Sequence, residues 1–157
     1  MRLIYRVSDS GYNKVKPIYI DNEKCIANAS KVFSSCEWLV IGDNLSESTE
    51  NMVLKYQNNL IKVSVGHGAG TFNIALDEAL KLNDEEIVYF LENDYLHKPE
   101  SDKALLEGFS LGAHYVSLYD HPDKYIDGTN PFVEGGGEIT RVFLSKSCHW
   151  KFTNSTT

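Results

Sequence analysis

The chain has 157 residues, enough for one domain that buries a sizeable core, and its 42% hydrophobic and 24% charged content is ordinary for a soluble globular protein. No apolar run approaches the roughly 20 residues of a membrane span, and the N-terminus reaches polar Arg6-Val7-Ser8-Asp9 too early for a secretory leader, so a cytoplasmic protein with no membrane span is expected. A net charge of -7 without a basic stripe argues against nucleic acid as a partner, and an acidic chain that handles phosphates needs a local cation.

Leu3-Ile4-Tyr5-Arg6-Val7 reads as a short strand running into the turn cluster Ser8-Asp9-Ser10-Gly11. Residues 22 to 35 carry Ile26, Ala29, Val32 and Phe33 at helical spacing, and Glu37 to Ile41 form a second strand stopped by Gly42-Asp43-Asn44. Ser46 or Ser48 caps a short helix through about Tyr56. Leu60 to Val65 is a third strand, followed by a glycine-rich turn, Gly66-His67-Gly68-Ala69-Gly70-Thr71. From Phe72 onward, Ala75, Leu76, Ala79 and Leu80 make the apolar face of a helix.

The fourth strand, Ile87-Val88-Tyr89-Phe90-Leu91, runs straight into Glu92-Asn93-Asp94, two carboxylates separated by one residue. A helix near Ser101 to Leu111, a strand Tyr115 to Tyr119, a polar loop from Asp120 to Gly137 and a strand-like Ile139 to Leu144 follow. Beyond them, His149 to Thr157 keeps strand-like alternation to its last residue, which reads either as an incomplete domain or as a short strand with a frayed end. No repeat or Pro/Gly-rich linker divides the sequence, so residues 1–157 are read as a single α/β domain with a mostly parallel sheet and helices on both faces. Cys25, Cys36 and Cys148 are odd in number and lack C-x-x-C spacing, which suits reduced thiols rather than disulfides or structural zinc.

Strands one, two and four all finish in polar or acidic residues, Ser8-Asp9, Asp43-Asn44 and Glu92-Asn93-Asp94. In a parallel sheet these ends share one edge, where ligands of open α/β sheets bind and where carboxylates can hold a divalent cation. The bland reading is that Asp, Asn, Ser and Gly end strands because they suit turns. For Gly66 to Thr71 a dinucleotide fingerprint is the first alternative: Glu92 stands about 20 residues on, where a ribose-binding acid belongs, but Thr71 replaces the third glycine. A P-loop lacks its Gly-Lys-Ser/Thr.

The order of these pieces, with Gly66 to Asn73 leading into a helix and Tyr89-Phe90-Leu91-Glu92-Asn93-Asp94 after it, resembles nucleotide-sugar glycosyltransferases of the GT-A fold, in the manner of a small family 2-like domain. Glu92-Asn93-Asp94 is similar to that family's D-x-D signature with Glu for the first Asp. The resemblance implies a Rossmann-like nucleotide-sugar-binding domain that moves a sugar from a UDP-sugar or other NDP-sugar donor to a glycan or other hydroxyl acceptor. Asp94 would ligate Mn²⁺ or Mg²⁺ bridging the diphosphate, Glu92 would contact the ribose or the metal shell, and Asn93 would space the two acids. Asp43 would accept from the nucleobase, Arg6 and Ser8 would flank the base or ribose, and Gly70 and Asn73 would border the ribose and diphosphate.

Inverting transfer also needs a general base, a carboxylate that the resemblance puts on a helix after the next strand; either that base is missing, which leaves a donor-binding fragment, or Asp120 or Glu138, flanking a loop with Gly135-Gly136-Gly137, serves. A late histidine, His149, could join the metal shell, although a lone histidine beside Trp150 is more often structural, and His97 could simply mark the loop after the acids. Other readings are a non-catalytic nucleotide-binding domain of the same fold and a sugar-nucleotide pyrophosphorylase. The latter's glycine-rich, basic turn is absent from Ser8 to Lys16.

Overall fold

The computed structural model describes residues 1–9, 17–119 and 142–151. They gather into two compact units, Met1–Pro99 and Glu100–Thr157. The first holds β1 (Arg2–Ser8), α1 (Asn22–Val32), β2 (Glu37–Asp43), α2 (Glu47–Leu54), β3 (Leu60–Val63), α3 (Gly68–Ala79) and β4 (Val88–Glu92). In the second lie α4 (Ser101–Ser110), β5 (Val142–Leu144) and β6 (His149–Lys151).

The four strands of the first unit form one all-parallel sheet in the order β3-β2-β1-β4. From β1 the chain steps outward through β2 to β3, and α3 then carries it back to the far side of β1. Right-handed crossovers require α1 and α2 on one face and α3 on the other, because the direction of travel reverses. Side chains agree with that topology. Leu3, Tyr5, Trp38, Val40, Tyr89 and Leu91 share one face by register, and the ring of Phe33, capping α1, meets that of Tyr89 at 5.2 Å. On the opposite face Ile4, Leu39 and Ile41 pack with Ala75 of α3, flanked by Ile61, Val63, Val88 and Phe90. The result is a Rossmann-like α/β arrangement with helices on both faces of the sheet in this unit.

Local chemistry explains most boundaries. Asp21 caps α1 by accepting from Lys24 N–H, and Ser46 caps α2 by accepting from Thr49 N–H. The second strand does not stop at Ile41 but continues through Gly42 and Asp43, because both pair with β3. The glycine-rich segment is not a free turn either: α3 begins at Gly68, with the His67 ring accepting from Gly70 N–H and Thr71 N–H bonding to the His67 carbonyl. Glycines weaken a helix, yet this cap and the packing of Ala75 outweigh that cost.

One predicted strand fails. Tyr115 to Tyr119 joins no ladder among the described residues, and the Tyr119 N–H bonds to the Ser117 hydroxyl, a local pairing that competes with strand hydrogen bonds. The strand expected over Ile139 to Leu144 is present as β5 at Val142–Leu144, antiparallel to β6, whose His149–Lys151 is the strand-like start of the tail. None of the helices among the described residues is long and apolar enough to cross a membrane.

Candidate functional site

Strand order reverses between β1 and β4, so the crevice beyond their carboxyl ends is a topological switch point. Register sets Arg6 beside Glu92 and Ser8 beside Asp43. All four belong to the face on which α3 packs, since each alternates in step with Ile4. The expectation that distant strand ends converge on one edge therefore holds for these residues.

Arg6 is the hub of that edge. Its Nη1 donates to the Gly68 carbonyl at 2.9 Å and to Thr71 Oγ1 at 3.2 Å, while Nη2 forms an ion pair with Glu92 Oε1. The guanidinium also lies 5.1 Å from the centre of the Phe72 ring. Only 13% of the Arg6 side chain is exposed, against 50% for Glu92. A cation from the central strand thus neutralises the first acid of Glu92-Asn93-Asp94 and ties it to the first turn of α3.

The other two residues of that motif turn elsewhere. Asn93 donates from Nδ2 to Asn22 Oδ1 at 2.7 Å, at the start of α1. Asp94 lies close enough to the Tyr5 phenol, on the α1 face, for its charge to act there. Burial first, then the charges of Cys25 and Asp94, push that phenol well above its ordinary value. No group of three or more His, Cys, Asp and Glu side chains is gathered as a metal shell among the described residues. With Glu92 already paired to Arg6 and no such group gathered around it, the described residues do not present a shell for a divalent cation.

Asp43 is 1% exposed, and its carboxylate accepts from the backbone N–H groups of Val65 at 2.6 Å and Gly66 at 2.9 Å, with Asn44 Nδ2 at 3.0 Å. This acid staples the β3–α3 connection, and reaching a nucleobase would require that staple to open. Asp9 works similarly on α2: burial would raise its pKa, but the N–H and hydroxyl of Ser46 and the hydroxyl of Thr49 together hold it below the usual carboxylate value. Gly70 lies in the first turn of α3, where a Cβ would stand 2.3 Å from Val65 Cγ1, so close packing alone requires glycine there. Asn73 is exposed on the same helix. Asp120 and Glu138 lie outside the described residues. His149 belongs to β6 in the second unit.

Sequence reasoning gave no role to His97, which is built into the α1 face. Its ring lies 2.8 Å from the Tyr89 hydroxyl and meets Phe33 edge-on at 4.9 Å, while its backbone exchanges two hydrogen bonds with the Asn28 side chain. Burial lowers its pKa to about 4. The pairing was not visible locally, because Asn28 and Phe33 are far away in the chain. Thr71 likewise reads in the sequence only as a missing third glycine, although its hydroxyl is an anchor for Arg6. No family model, curated protein or solved structure matches the chain.

Proposed function

We propose that the first unit binds the donor of a glycosyl transfer, a nucleoside-diphosphate sugar with UDP favoured, in the crevice at the ends of β1 and β4. The observation that carries this reading is the switch point itself, with Arg6, Ser8 and Glu92 on one face of it and the first turn of α3 tied to them. Open α/β sheets bind ligands at such crevices, and a helix start favours negative charge. The dinucleotide alternative is weaker, because Gly66 to Thr71 follows the edge strand β3 and is already helical from Gly68.

In the transfer, an acceptor hydroxyl of a glycan or similar molecule attacks the anomeric carbon and the nucleoside diphosphate departs. Asp120 or Glu138 is the proposed base that takes the acceptor proton. The leaving diphosphate needs a positive partner, and the pairing of Glu92 with Arg6 favours a side chain of the protein over the Mn²⁺ or Mg²⁺ expected from the D-x-D-like motif. A non-catalytic nucleotide-binding domain would share the same crevice without turnover.

A thermal-shift screen of UDP, GDP and a panel of UDP-sugars tests the reading. A ligand at about 100 times its Kd stabilises the folded state by about 2.7 kcal/mol, which raises the melting temperature measurably. Release of UDP from a UDP-sugar, accelerated by an acceptor glycan, is the expected second result. Should none of the nucleotides shift the transition, with or without Mn²⁺, the proposal is wrong.

A further inference from the structure

We infer that Arg6 supplies the positive charge that receives the diphosphate and that Glu92 is the residue that positions Arg6, not a metal ligand. This rests on the nucleotide reading of the β1/β4 crevice. Arg6 stands at the register position beside Glu92, and the pair comes from adjacent strands at the switch point. Gly68 O, Thr71 Oγ1 and Glu92 Oε1 fix the guanidinium from two sides, with the Phe72 ring beside it, so its planar fork is held in one orientation.

Donor capacity remains after those bonds. A guanidinium has five N–H groups, of which Nη1 uses two and Nη2 gives one to Glu92, while the buried Nε has no partner among the described residues. The bonds to Gly68 and Glu92 lie at the solvent-exposed end of the side chain, where a ligand oxygen can reach Nη2. Half of the Glu92 side chain is exposed, so a diphosphate can share or displace its carboxylate, gaining charge-assisted hydrogen bonds from an arginine already in place. The acidic motif then serves by orienting a protein cation rather than by chelating a metal.

Calorimetric titration of UDP into the full chain, once in EDTA and once in Mn²⁺, separates the possibilities. Expected is binding in EDTA within about threefold of that in Mn²⁺, weakened at least about tenfold by Arg6→Lys and by Glu92→Ala, and brought back to within about fivefold by Glu92→Gln, whose amide oxygen still accepts from Nη2. Circular dichroism of each variant checks folding, and the EDTA comparison on the unaltered chain needs no variant. Binding that requires Mn²⁺ and disappears in Glu92→Gln overturns the inference and leaves the nucleotide reading standing. If neither UDP nor GDP binds in either buffer, the nucleotide reading falls and takes this inference with it.

Discussion

At the scale of single residues, the half-buried His97 makes stability depend on pH. Its folded pKa, about 4, lies below the ordinary value of 6.5, so in acid the unfolded chain takes up a proton that the folded chain resists. Its contribution is full above about pH 6.5 and is lost as pH falls toward 4, a loss of roughly 2 kcal/mol after allowance for the partial exposure of the ring. Urea denaturation followed from pH 7 to 4 should show that decline, and NMR titration of the His97 ring should give a midpoint well below 6. A ring that titrates at its ordinary value would refute the assignment. The sequence supplied the residues of the crevice but not their duties. Asp43 reads as an available acid at a strand end, yet its work depends on where the β3–α3 connection returns. Arg6 reads as a lone basic residue, and its partner Glu92 lies 86 positions away, joined to it only by the register of the sheet.

At the scale of elements, α3 contains two glycines with opposite constraints. A Cβ at Gly70 would collide with Val65 and the His67 cap, whereas one at Gly68 would meet nothing within 4 Å. Gly70→Ala should therefore destabilise the protein by about 1–3 kcal/mol through overpacking, despite the better helix propensity of alanine. Gly68→Ala should be neutral or stabilising by up to about 1 kcal/mol, since it reduces the freedom of the unfolded chain. Thermal denaturation of the two variants side by side measures the difference, and equal effects would count against the packing account. Element types in the first unit were legible because strong apolar runs alternate with helical spacing. The boundary at Gly68 was not, since it depends on the His67 ring acting as a cap. Nor was the fate of Tyr115 to Tyr119, where alternation alone does not provide a neighbouring strand.

At the scale of the whole molecule, β1 is the only strand of the four-stranded sheet paired along its full length on one side and over five residues on the other. Its amides should be the slowest in native-state hydrogen exchange, with those of the four-residue edge strand β3 much faster. Equal protection of Ile4 and Ile61 would contradict that ordering. Alternating strands and helices made the parallel class legible, and the reversal after β3 is what the sequence withheld, since nothing local says on which side of β1 the fourth strand settles. That reversal also sets a timetable for synthesis. Strand β1 leaves the ribosome before β2 and pairs with it early, but its other edge waits for β4, the partner of Arg2 being Val88. Until then Leu3, Ile4 and Tyr5 sit beside an unpaired edge, an invitation to other chains or to a chaperone, so the nascent protein is most vulnerable just before its own candidate site is completed.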